Sequence, residues 1–225
     1  MIEIHEGRMN SIGKIRAKIH GEVFDYQVLV DALAGYRKPR DKITRLLATG
    51  AIVRIKKGLY CFGELFRREL VSREYLANLI YGPSYVSAEY ALSHYGLIPE
   101  RVETITSVTP CRSRNFDTPV GVFSYTMLKP SRYSVGAVFE TVGKTPCLMA
   151  SPEKALVDKV WSDKRFNGRR ILEFDDYLSD DLRIDRDDLG NLDQDRLQAI
   201  AKAYGSAKIK NLVRHIMRLK EKSHA

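Results

Sequence analysis

The stretch Arg37-Lys38-Pro39-Arg40-Asp41-Lys42-Ile43-Thr44-Arg45-Leu46-Leu47-Ala48-Thr49-Gly50-Ala51-Ile52-Val53-Arg54-Ile55-Lys56-Lys57-Gly58-Leu59-Tyr60-Cys61-Phe62 decides how this chain folds at its start. It holds eight basic residues (Arg37, Lys38, Arg40, Lys42, Arg45, Arg54, Lys56, Lys57) against one acid, Asp41. Pro39, whose fixed φ suits a first helical turn, opens a helix whose apolar stripe is Ile43, Leu46 and Leu47, and Gly50 ends it. Two β-prone runs follow, separated by Lys57-Gly58, and glycine supplies the positive φ that a tight hairpin demands. A short basic helix followed by a basic-tipped hairpin predicts the last helix and the wing of a winged helix-turn-helix suited to DNA.

Working upstream, Ile12, Ile15 and Ile19 recur at spacings of three and four, which predicts a first helix from about Arg8 to Ile19. Gly21 ends it, and Asp25 can cap a second helix running through Val28, Leu29, Ala32 and Leu33 until Gly35. On the third helix, at roughly 100 degrees per residue, Asp41, Thr44, Arg45 and Ala48 lie opposite the apolar stripe, with Arg40 at the border. An arginine can give guanine two parallel hydrogen bonds, a threonine methyl can touch thymine, and an aspartate can accept from cytosine. Arg37 and Lys38 precede the helix and suit phosphates, as do Arg54, Lys56 and Lys57 of the hairpin. Against this stands the plainer view that basic residues on a short helix form a solvated face, or that the module binds protein.

Composition bounds the rest. At 225 residues with 44% hydrophobic content the chain is of globular type, and two domains are expected: a winged helix over 1–66 and a larger α+β domain over 67–225, joined by a linker at Gly63 to Ser72. A formal charge of +9 favours polyanionic partners, nucleic acid first. No run approaches the length of a membrane span and the start lacks a signal-peptide pattern, so a cytoplasmic protein is expected. Cys61, Cys111 and Cys147 follow no CxxC spacing and read as buried thiols; the five histidines are scattered, so neither metal nor cofactor is implied.

In the second region, Gly82-Pro83 marks a turn, Ser87 an N-cap with Glu89 in the first turn, and Gly96 a helix stop with Pro99 beyond. Strand-like runs at Glu103 to Thr109, Val120 to Met127 and Cys147 to Met149 predict a small antiparallel sheet. Ser151-Pro152-Glu153-Lys154 then opens a helix with a serine cap and a proline at the first position.

Three of these segments carry a family resemblance. The wing ending Lys57-Gly58-Leu59-Tyr60, the stretch Tyr85-Val86-Ser87-Ala88-Glu89-Tyr90-Ala91-Leu92-Ser93-His94-Tyr95-Gly96-Leu97-Ile98-Pro99, and Ala150-Ser151-Pro152-Glu153-Lys154-Ala155-Leu156-Val157-Asp158 together resemble the AbiE-type antitoxins of bacterial type IV toxin–antitoxin systems, which serve in phage abortive infection. The resemblance implies a winged helix that binds repeats in its own promoter and represses the operon. It also implies a C-terminal domain that neutralises a nucleotidyltransferase-type toxin, directly or indirectly. The motif residues of this region read as structural, with Ser87 and Ser151 as caps, and no enzyme is expected.

The last third is acid-rich from Glu173 to Asp195 and then reverses sign. Ile209, Leu212, Val213, Ile216 and Leu219 form the stripe of a terminal helix whose cations Lys208, Lys210, Arg214 and Arg218 could meet nucleic acid or an acidic partner. The acids raise the alternative of a DNA-targeted metal-dependent nuclease or nucleotidyltransferase, with Asp185 and Asp187 as paired carboxylates for Mg²⁺. A nucleotidyltransferase, however, resembles a Gly-Ser turn ahead of its carboxylate pair, and here Gly205-Ser206 follows it.

Overall fold

The computed structural model describes residues 12–223; the expected start of the first helix at Arg8, together with His5 and His224, lies outside them. The chain is α+β, with two separate sheets, and divides into two compact units. One runs to Ser72 and includes Thr118–Val120, and the other comprises Arg73–Asp117 and the chain from Gly121 onward. Among the described residues no helix is long and apolar enough to cross a membrane.

In the first unit, helix α1 covers residues 12–18. Strand β1 (Val23–Asp25) and helix α2 (Tyr26–Ala32) follow, and Asp25 caps α2 by accepting from the Val28 amide at 2.8 Å. Helix α3 (Pro39–Ala48) leads into the hairpin of β2 (Ile52–Lys56) and β3 (Leu59–Phe62), whose turn glycine, Gly58, has φ of 85°. The sheet order is β1-β3-β2, all antiparallel. Strand β1 went unannounced in the sequence because three residues are too few to show a two-residue period. Ile12, Ile15 and Ile19 meet Leu29, Leu33, Ile43, Leu46 and Phe62 in one core. A fully buried isoleucine or leucine there contributes roughly 1.5–3 kcal/mol.

Two features extend this unit beyond residue 66. Gly63, expected to begin a linker, is packed instead: a Cβ there would fall 1.8 Å from the Gly50 carbonyl oxygen, and its amide donates to the Ala51 carbonyl at 2.9 Å. After the short 3-10 turn Glu64–Phe66, Arg67 Nε donates to the Phe62 carbonyl at 2.7 Å and the Arg68 amide to Glu22 Oε1 at 3.2 Å. Arg16 closes the other end. Its guanidinium donates to the Ile19 and Gly21 carbonyls, pairs with Glu22 and lies 4.3 Å over the Phe62 ring.

The second unit contains helices α4 (Arg73–Ile80), α5 (Ala88–His94), α6 (Pro130–Tyr133) and α7 (Pro152–Ser162) among strands β4 (Tyr85–Val86), β5 (Ile105–Thr109), β6 (Arg114–Thr118, all but its last residue), β7 (Gly121–Met127), β8 (Ala137–Val142) and β9 (Thr145–Ala150). A helical part follows: α8 (Glu173–Asp176) continuing into a π turn at Tyr177–Asp181, then α9 (Arg186–Asn191), α10 (Gln194–Tyr204) and α11 (Ala207–Ser223). The sheet has six strands in the order β6-β7-β5-β4-β9-β8. It is mixed, which corrects the small antiparallel sheet expected: β5 runs parallel to β7 and β4 parallel to β9. Alternating hydrophobicity records a strand's two faces but not its direction, and Val86 pairs with Met149 across a long stretch of chain. Beside that pair the Asn78 amide continues the ladder, donating to the Leu148 carbonyl at 3.1 Å and accepting from its amide at 2.7 Å.

One polar cluster holds the helices to this sheet. The Asp158 carboxylate, 3% exposed, accepts from Tyr85 Oη (2.9 Å), Ser87 Oγ (2.7 Å), Tyr204 Oη and Lys154 Nζ (3.0 Å). Lys154, fully buried, also donates to the Arg132 carbonyl at 2.7 Å and to Tyr204 Oη at 2.9 Å. Burial first, and then the Asp158 charge, raises the pKa of both tyrosines, so they stay protonated donors. Burial pulls Lys154 down against the opposing pull of Asp158. Ser87 is therefore not the side-chain cap expected: it makes no capping bond and turns to Asp158, while Ala88 takes a left-handed φ of 52° as the chain enters α5. Ser151 does cap, accepting from the Lys154 amide at 3.3 Å.

Candidate nucleic-acid interface

Helix α3 separates its residues as an amphipathic helix should. Ile43 and Leu46 are buried and Leu47 half-buried, whereas Arg40, Asp41, Thr44, Arg45 and Ala48 are exposed. Thr44 Oγ1 donates to the Arg40 carbonyl at 3.2 Å, which ties up its hydroxyl and leaves the methyl as its free group. Asp41 lies 3.9 Å from Lys38, with both side chains largely in solvent, so the pair is worth well under about 1 kcal/mol and yields readily to a competing anion or base. Arg37 is exposed beside it. An open groove of about 500 Å³, lined by Tyr26, Val30, Lys38, Pro39, Arg40 and Asp41, runs along the start of α3.

Lys42 is placed differently from its neighbours. It is half-buried with its ammonium 5.2 Å from the Tyr36 ring centroid, so the structure sets it against the unit's own aromatic ring and not on the outward face. On the hairpin, Arg54 and Lys57 are exposed, Lys57 immediately before the Gly58 turn. Lys56 is half-buried and burial lowers its pKa. The ladder slips between Arg54 and Lys56, which places Lys56 opposite Leu59. Thus seven of the ten sequence-selected residues (Arg37, Lys38, Arg40, Asp41, Thr44, Arg45, Lys57) are exposed on or next to α3 and the turn, Arg54 is exposed on β2, and Lys42 and Lys56 are partly withdrawn.

In the second unit the terminal helix divides likewise. Lys210, Arg214 and Arg218 are exposed. Lys208 is not a contact in waiting: its Nζ donates to the Asp163 carbonyl at 2.8 Å, lies 5.2 Å over the Phe166 ring, and burial lowers its pKa. The acids upstream are largely engaged locally. Asp185 is the N-cap residue of α9 and Asp187 sits in its first turn, where the helix dipole favours carboxylates. Glu173 accepts from the Arg169 and Arg170 amides, and Asp175 faces Arg186 at 3.8 Å and His215 at 3.7 Å. Among the described residues no three acidic, histidine or cysteine side chains are arranged to share a metal ion. Cys61 and Cys147 are buried thiols, whereas Cys111 is only half-buried, against expectation.

No protein-family model matches the chain, and no curated protein matches it.

Proposed function

We propose that the first unit is a winged helix-turn-helix that reads duplex DNA, and that the chain is a cytoplasmic, autorepressing antitoxin of the AbiE type. Its second unit neutralises a nucleotidyltransferase-type toxin. The outer face of α3 carries the DNA part of this reading: Arg40, Asp41, Thr44 and Arg45 point away from the apolar stripe and are available to base edges. Each good bidentate contact discriminates by about 1 to 3 kcal/mol. The exposed Lys57 at the hairpin turn supplies a phosphate contact without sequence information. The antitoxin part is supported by the order of the three motifs, two of which meet at Asp158 through Ser87 and Lys154.

The test is genetic. A reporter driven by the DNA upstream of this gene should be repressed when the chain is supplied in trans and released by Arg45→Ala, and the chain should restore growth to cells expressing a nucleotidyltransferase-type toxin encoded beside it. A reporter indifferent to the chain removes the regulatory half, and unrescued growth removes the antitoxin half.

A further inference from the structure

We infer that the second unit binds a small, uncharged, hydroxyl-bearing molecule with a flat apolar body, the class to which ribonucleosides belong, in a cleft between the sheet and helices α5 and α7. The inference goes beyond the DNA-binding reading and shares no residue with it.

The cleft follows from the packing of the sheet. Along β5 and β7, Thr106 lies opposite Ser124 and Val108 opposite Thr126. These four alternate with Ser107 and Tyr125, which are buried on the other face, where Tyr125 Oη donates to the Ala77 carbonyl of α4 at 2.7 Å. The Asp158 bonds to Tyr85 and Ser87 hold α7 against the first face, and Lys159 Nζ donates to Glu89 Oε1 at 2.7 Å to tie α7 to α5. Between these helices and the strands remains a cavity of about 470 Å³, bordered by Asp158 and Trp161. Small-molecule sites run from roughly 300 to 1,000 Å³.

The lining selects the ligand. Val102, Val108, Met127, Leu128 and the Trp161 ring supply apolar walls, which suit a flat apolar body. Glu89 and Asp158 line the cavity and no lysine, arginine or histidine does, so a phosphate there would meet carboxylates and find no countercharge. Asp158 is already saturated by its four donors. The Thr106 hydroxyl is engaged too, donating to the Ser87 carbonyl at 2.6 Å and accepting from the Tyr90 amide at 3.0 Å. By contrast, among the described residues the hydroxyls of Ser124 and Thr126 and the indole N–H of Trp161 make no hydrogen bond. A few polar groups on apolar walls are what orient a small ligand, and a carboxylate such as Glu89 is the usual acceptor for a sugar hydroxyl. The Trp161 ring is set before any ligand arrives, with the Arg132 guanidinium 4.2 Å from its centroid and the Tyr204 ring edge-on at 5.6 Å, which lowers the ordering cost of binding.

Trp161 is the chain's one tryptophan, so a single indole N–H resonance reports whether the cleft is filled. The full chain is titrated with adenosine, guanosine, cytidine and uridine, with their 5′-monophosphates, and with the diamine putrescine, and affinities are taken from calorimetry on the same solutions. The expected result is a saturable shift of the indole signal with at least one nucleoside below about 1 mM, and binding at least about tenfold weaker for its monophosphate. Ser124→Ala combined with Thr126→Val should weaken that nucleoside about tenfold with the unfolding midpoint unmoved, while Arg40→Gln in the first unit changes nothing. No saturable shift with any nucleoside overturns the inference. Equal binding of the monophosphate, or saturation by putrescine in place of the nucleosides, overturns the assignment of an uncharged ligand, and undiminished affinity in the double variant overturns the cleft as its site.

Discussion

Arg45 and Lys57 are both exposed cations of the first unit, yet they would meet DNA through different chemistry. A guanidinium on α3 can fork onto one base, whereas a lysine at a hairpin turn is a point charge on a flexible stem. Arg45→Ala should therefore reduce the preference for the upstream sequence by about 1 to 3 kcal/mol, and Lys57→Ala should weaken all duplexes alike while lowering the salt slope by about one. Competition titrations with single-base-substituted duplexes separate the two, and an Arg45→Ala protein with undiminished preference contradicts the placement of α3. Gly63 makes a purely steric prediction. Because its Cβ position coincides with the Gly50 carbonyl, Gly63→Ala forces backbone apart and should destabilise the first unit by more than about 2 kcal/mol in denaturant titrations; a change below about 0.5 kcal/mol contradicts that packing. Neither this role nor the inward turn of Lys42 and Lys208 was legible in the sequence. Glycine before a charged stretch looks like a linker, and a lysine stem can lie over an aromatic ring or in water with equal ease.

Elements with strong punctuation were legible, and those defined by distant partners were not. Asp25 before α2, Pro39 at the head of α3 and Ser151-Pro152 before α7 all mark the helix starts the structure contains. The unread part is the joining of β4, the start of α5, α7 and α10 through Asp158: Lys154 lies one turn before it on α7, but Tyr85, Ser87 and Tyr204 reach it from segments 46 or more residues away and leave no local pattern. Asp158→Ala strands the buried Lys154 ammonium and should cost about 3 to 5 kcal/mol in chemical denaturation, more than replacing the pair together by apolar residues of like volume. A loss below about 1 kcal/mol would contradict the cluster's place as the bond between helices and sheet. Helix α11 contributes a pH dependence. Burial holds the His215 imidazole below its ordinary 6.5, helped by Arg186 and Arg218 and opposed by Asp175 and a backbone bond at Ile171. The unfolded chain therefore takes up a proton near pH 6.5 while the folded chain resists, so this contribution is complete above that pH and is lost as pH falls below it. Unfolding midpoints recorded from about pH 7 down to pH 5 should decline, and His215→Gln should flatten that decline. An identical slope in the variant contradicts the assignment.

At the scale of the molecule, an α+β chain of two compact units carries its excess positive charge on both. In the first, exposed cations lie on and beside one helix and its hairpin; in the second, Lys210, Arg214 and Arg218 are exposed on the last helix. The mixed α+β class was open to reading from the alternation of helix and strand patterns, whereas sheet order and direction depend on pairings such as Val86 with Met149 that only the folded chain defines. The central claim is that this chain recognises a DNA sequence, and equilibrium competition at fixed salt between the duplex upstream of its gene and a shuffled duplex of the same composition tests it most directly. The account predicts about 10³-fold or greater preference for the upstream duplex; equal affinity for the two would contradict it.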